Sequence, residues 1–138
     1  MSRFIESAKA FVDALDVGKG WEGVKEVVAA EDTPFSCDCL ESNTIKEYSN
    51  EMAVVSKVTI PDFKYEILSL ASNDTEVVMV LSCSGTHTGE GGPKPPENPP
   101  RTFRGEYAYT IRFNSDGKIV NMHKVMDKYT TFSSMGWL

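Results

Sequence analysis

Along the first seventeen residues the apolar positions return every three or four places. Phe4, Ile5, Ala8, Phe11, Val12 and Leu15 fall on one face, and this spacing predicts a helix over Arg3–Val17. Ser2 is placed to cap it and Gly18 and Gly20 to stop it. A shorter helix follows from Trp21 to Ala30, with Trp21, Val24, Val27 and Val28 on one side and Thr33-Pro34 ending it. Phe35 to Leu40 reads as a short irregular or strand-like piece. Asn43 or Thr44 is set to cap a third helix from Ile45 to about Val58, with Ile45, Tyr48, Met52 and Val55 as its stripe and Pro61 as its end.

Beyond Pro61 the period changes to two. Phe63, Tyr65 and Ile67 alternate with Lys64 and Glu66, and Asn73-Asp74 marks a turn. Glu76 to Thr88 is almost continuously apolar at its start, which predicts a central strand covered on both faces. Arg101–Phe113 is a third long strand, Asn114-Ser115-Asp116-Gly117 a hairpin turn, and Lys118–Asp127 a fourth strand. Helices first and an antiparallel meander afterwards predict an α+β fold. The length of 138 residues suits one domain over residues 1–138. A curled sheet around a helix leaves a cavity, the usual place for a small molecule.

Parity along the strands says which side chains point in. In Arg101–Phe113 the odd positions Phe103, Tyr107, Tyr109, Ile111 and Phe113 form the apolar face. In the last strand the even positions Val120, Met122, Lys124 and Met126 are apolar except for Lys124. Between the second and third long strands, residues 93–100 hold five prolines and form a stiff, extended connection at the rim of the sheet. It is read either as a surface loop or as a wall of the pocket.

The net charge of −6 argues against nucleic acid, which needs a basic face. No stretch approaches the length of a membrane helix, and no basic segment precedes an apolar block at the N-terminus. Three cysteines, Cys37, Cys39 and Cys83, suit free thiols in a reducing compartment, so a cytoplasmic location is expected. With only His87 and His123 beside them, the ligands are too few for a structural zinc site, and neither metal nor cofactor is expected.

Three segments carry a family likeness: Gly85-Thr86-His87-Thr88-Gly89-Glu90, then Phe103-Arg104-Gly105, then Asp116-Gly117-Lys118-Ile119-Val120 with Asp127 and Met135-Gly136 after it. Their order and spacing resemble those of the SnoaL-like polyketide cyclases, within the nuclear-transport-factor-like class. The resemblance implies a cone-shaped sheet with helices closing one end, a ligand cavity inside, and a homodimer. It also implies an inward Asp on the last strand and a His on the strand before it as the acid/base pair. Counted from Asp116-Gly117-Lys118-Ile119, those places hold Lys124 and Tyr109, so the usual pair is replaced.

Candidate catalytic residues are therefore Lys124, Tyr109, His123 and Asp127. Lys124 either runs its stem over apolar neighbours to reach water at the rim, or is desolvated among Met122, Met126 and Tyr109. In the second case its pKa would fall and make it a base or an amine nucleophile toward a carbonyl. His123 and Asp127 share the odd face four residues apart. They pair on the strand surface or at an interface, or form an acid/base unit if a bulge turns that face inward. Candidate ligand-binding residues are His87, Tyr107, Phe103, Met122, Met126 and Trp21. His87 either hydrogen-bonds the Pro-rich loop or stands at the cavity mouth, and Trp21 is either helix core or pocket wall. Two functions follow: a lyase-, isomerase- or cyclase-type enzyme moving a proton on an apolar carbonyl compound, or a non-catalytic ligand-binding or dimerisation module.

Overall fold

The structure is a computed structural model and describes residues 3–138. The expected cap at Ser2 lies outside the described residues. Helix α1 spans Ile5–Asp16, with Phe4 at its N-cap position, and Gly18 follows it at φ 85°. The second helix is shorter than its apolar spacing suggested: α2 covers Gly20–Val24, and Lys25–Val27 tightens into a 3-10 turn. Val28 is then extended and bridges Ile119 in parallel, so a β-branched residue counted on the helix joins the sheet instead.

Strand β1, Phe35–Ser36, is a two-residue remnant of the expected strand-like piece. Helix α3 runs over Ile45–Val54 and is continued by a π-helical turn, Val55–Thr59. Of the two expected caps, Thr44 is the one used. Its hydroxyl accepts from the Glu47 amide at 3.1 Å, and Glu47 Oε1 accepts from the Asn43 amide at 3.0 Å.

Four long strands follow, β2 Lys64–Ser72, β3 Glu76–Thr86, β4 Thr102–Phe113 and β5 Ile119–Met126, and then helix α4, Lys128–Ser134. The sheet order is β1-β5-β4-β3-β2. β1 lies parallel to β5, and the pairs β5–β4, β4–β3 and β3–β2 are antiparallel. The curled sheet wraps α1 and α3, giving the cone-shaped α+β fold that the order of elements predicts.

Two register shifts bend the sheet, one at Leu68 and one at Val120. The second corrects the parity of the last strand. Phe113 pairs with Ile119 and Arg112 with Asn121, so Val120 is an extra residue, half-buried, and Ile119 takes the inward place. β3 also departs from expectation: Val78 and Val80 are 38% and 37% exposed, so only one of its faces is covered. The odd residues of β4 from Phe103 to Phe113 are all buried.

The main core joins Phe11, Leu15, Ile45, Met79, Ile111 and Met122 with the aromatic residues of α2 and α3. Each fully buried aliphatic side chain contributes about 1.5–3 kcal/mol. A smaller cluster, Ile60, Phe103 and Met135, closes the other end of the sheet. No helix among the described residues is long and apolar enough to cross a membrane.

Candidate active site

Asp16 stands four residues after Val12, on the apolar face of α1, and has no exposed surface. A carboxylate so placed needs hydrogen-bond donors. β4 supplies two from alternate inward positions: Tyr107 Oη donates to Asp16 Oδ2 at 2.6 Å and Tyr109 Oη to Oδ1 at 3.0 Å. The Tyr109 hydroxyl also meets the Tyr48 hydroxyl of α3 at 2.6 Å. A hydroxyl has one proton, and Tyr109 has given its own to Asp16, so Tyr48 is the donor in that contact. Lys124, which faces Tyr109 across the β4–β5 ladder, donates from Nζ to Tyr48 Oη at 2.8 Å.

The result is a chain of three hydrogen bonds, every one pointing the same way, from Lys124 through Tyr48 and Tyr109 to Asp16. Phe35 of β1 holds the Tyr48 ring by stacking at 4.1 Å. Lys124 Nζ lies 5.0, 4.8 and 5.7 Å from the ring centres of Tyr48, Tyr107 and Tyr109, which supports the cation with their faces.

Burial drives the Asp16 pKa up to about 6, against the lowering effect of the Tyr107 bond and the Lys124 charge. Burial likewise raises Tyr48 to about 12 and lifts Tyr107 and Tyr109 further above the ordinary phenol value. For Lys124, burial opposes the ammonium, but Tyr48 and then Asp16 outweigh it and hold the amine above the usual lysine range. At neutral pH the site is thus an ammonium, neutral tyrosines and a carboxylate.

Lys124 and the tyrosines line a cavity of about 130 Å³. Its walls include Met52, Ile60, Phe63 and Phe103, and one side is the C-terminal segment with Thr131, Phe132, Met135 and Trp137. Lysine has three N–H donors. Among the described residues Nζ of Lys124 makes one hydrogen bond, so two donors face a largely apolar space.

Of the residues singled out in the sequence, Lys124, Tyr109, Tyr107, Phe103 and Met126 come together around this cavity. Lys124 does not reach water at the rim; it is 8% exposed. Nor does its pKa fall, because its burial comes with the Tyr48 hydroxyl and a carboxylate. Met122 and Trp21 pack in the core and do not line the cavity. His123 and Asp127 do not pair. His123 Nδ1 meets Ser36 Oγ at 2.6 Å, and Asp127, exposed, caps α4 by accepting from the Thr130 amide at 3.0 Å.

The His87 ring is buried against Trp137 at 5.5 Å, edge to face, and its Nε2 makes no bond to the Pro-rich loop. Sequence reasoning missed Asp16 and the hydroxyl role of Tyr48. Both carried a signal, since each is a polar group set on an apolar helical stripe.

A model of the SnoaL-like polyketide cyclases matches residues 8–134. The chain belongs to the SnoaL-like polyketide cyclase family. Solved structures agree on the fold of this SnoaL-like chain. IdmH of Streptomyces antibioticus, itself a candidate polyketide cyclase, is 18% identical with a TM-score of 0.74, over 97% of this chain and 99% of that one. An LEH-like epoxide hydrolase of M. tuberculosis is 14% identical with a TM-score of 0.66, over 95% and 87%. An NTF2-like protein of Burkholderia thailandensis is 17% identical with a TM-score of 0.68, over 94% and 95%. No curated protein matches the sequence. In this SnoaL-like frame the last strand presents a lysine to the cavity and the strand before it a tyrosine bonded to a carboxylate on the first helix.

Proposed function

We propose that this SnoaL-like domain binds a small, mostly apolar, carbonyl-containing molecule in the cone and moves a proton on it. The observation that carries the reading is Lys124, a buried ammonium with unused donors facing an apolar cavity. Such a donor stabilises charge that develops on a carbonyl oxygen, and does so best where water is excluded. The raised pKa values of the tyrosines make them donors rather than bases, and a protonated Lys124 does not attack as an amine. The chemistry that remains is polarisation of a carbonyl with proton shift, which covers isomerase-, lyase- and cyclase-type reactions. The membership in a polyketide cyclase family and the epoxide hydrolase sharing its fold support an enzymatic use of the cavity. A space of about 130 Å³ takes one ring or a chain end, comparable with cavities that hold benzene.

Native mass spectrometry of the protein from its own host, before and after organic extraction, identifies what occupies the cavity. On that compound or its relatives, Lys124→Met is expected to lower kcat about 100-fold or more, and Tyr109→Phe to lower it less. Unchanged turnover in both variants rejects the roles given to them. A second reading, ligand binding without turnover, is favoured by the mutual neutralisation of Lys124 and Asp16; recovery of every bound ligand unaltered would favour it over catalysis.

The proposal extends to assembly. The register aligns Ser69, Val80, Ala108 and Val125 in one row across the outer face of the sheet, and Val80 and Val125 are well exposed. That row suits the face of a homodimer. The acidic net charge argues against nucleic acid as the partner, and three free thiols fit a reducing cytoplasm.

A further inference from the structure

The hydrogen bonds that join Lys124 to Asp16 define more than a scaffold. Each donates toward Asp16, so one concerted shift moves a proton along every bond. Lys124 passes a proton to Tyr48, Tyr48 passes its own to Tyr109, and Tyr109 passes its own to Asp16. Turning about Cε–Nζ, with the Tyr48 O–H swinging away from Nζ, then points the freed lone pair of the Lys124 amine into the cavity, where it takes a proton from whatever lies there. After the step Lys124 is again an ammonium, both tyrosines are again neutral, Asp16 is a carboxylic acid, and the ligand is an anion. No proton reaches solvent.

Charge balance favours this outcome. Before binding, the buried groups of the site hold one positive and one negative charge, Lys124 and Asp16, while the carboxylates that line the cavity, Glu51 and Glu106, are exposed to water. A ligand that entered as a ready-made anion would leave a net negative charge in an apolar space, which costs heavily. A ligand that arrives neutral and gives its proton to Asp16 keeps the total at zero and exchanges a distant carboxylate for an oxyanion in contact with Lys124.

Resting on the cavity reading above, we propose that the site selects weakly acidic one-ring hydroxyl compounds, enols or phenols, and binds them as oxyanions against Lys124 while their proton passes to Asp16. The groups around Asp16 permit it. Asp13, bonded to Tyr65 at 2.6 Å, acts on Asp16 through its charge and Cys83 feels the Asp16 charge, while Tyr107 donates to Oδ2 throughout, so Oδ1 receives the proton. In this scheme Asp16 touches no ligand and is a positioning residue that works through the tyrosines.

The probe is 3-nitrophenol at about pH 7, where the free compound is protonated and its phenolate absorbs at a separate wavelength. The expected result is the phenolate spectrum on binding, with a calorimetric heat independent of the ionisation enthalpy of the buffer. Asp16→Asn cannot store the proton, and Tyr109→Phe breaks the chain without touching the Tyr107–Asp16 bond. Either variant is expected to bind the probe as neutral phenol, or to release one proton per site to buffer, with affinity reduced about tenfold or more. Neutral phenol on the unaltered protein, or one proton released to buffer by it, overturns the transfer to Asp16 and leaves the cavity reading standing. If 3-nitrophenol does not bind but cyclohexenone does, the ligand class is wrong and the cavity reading again stands. If neither binds, both fall.

Discussion

Asp16 has to keep a negative charge without contact with water, and what keeps it is two phenolic protons and, through them, an ammonium. This arrangement has a measurable sign. The folded chain holds the Asp16 proton up to about pH 6, the unfolded chain only to about 3.8. Between these values the folded state binds more protons, so the stability this group provides is full below about pH 3.8 and is lost as pH rises through 6. The difference corresponds to about 3 kcal/mol. Chemical denaturation of the protein and of Asp16→Asn across this range is expected to show the unaltered chain gaining on the variant as pH falls. A gap that stays constant or closes on acidification would contradict the account. Asp16 was visible in the sequence as an acid in step with Val12, yet an acid beside a helix end reads as solvated. Only the two tyrosines, about ninety positions away, show otherwise. Lys124 was legible as the odd residue on an apolar face. The direction of its pKa was not, because that depends on Tyr48 from another element.

At the level of elements, local chemistry decided what the sequence could reveal. The Thr44–Glu47 pair signals a helix start in four residues and marks the start of α3. The end of the second helix and the slip at Val120 carry no such mark. Each is settled by a partner strand, through the Val28–Ile119 bridge and the Arg112–Asn121 pairing. Helix α4 is too short for periodicity to reveal and is fixed by Asp127 at its start and by its seat on β4. That seat depends on Gly105. A Cβ there would stand 2.2 Å from Thr131 Oγ1 and 3.1 Å from both Thr131 Cβ and Cγ2, so rotating the hydroxyl does not relieve it. Gly105→Ala is expected to lift α4, to cost about 1–3 kcal/mol, and to speed amide exchange across Lys128–Ser134. Because Thr131 and Phe132 wall the cavity, ligand affinity should fall with it; unchanged exchange would show that the helix is seated by other contacts.

For the molecule as a whole, the fold was the most legible part. The change of period at Pro61, the inward parity of β4 and the three family segments all pointed to one cone. The outer surface was less so, since continuous apolar residues in β3 suggested cover on both faces and Val78 and Val80 are exposed. If that face joins two copies, Val80→Asp with Val125→Asp is expected to give monomers in sedimentation velocity while the circular dichroism spectrum is retained. A dimer that survives both changes places the interface elsewhere. The hydrogen-bonded chain from residue 124 to residue 16 also bears on how the molecule forms. It closes only when the last long strand docks beside β4 and brings Lys124 to Tyr48, 76 positions away in sequence, a non-local contact that requires a long loop to close first. Until then Asp16 lacks its cation, and a carboxyl buried without one stays protonated. Arrival of the last strand therefore expels a proton at neutral pH, and the late phase of refolding should be accelerated by alkali and slowed by acid across the range in which Asp16 titrates.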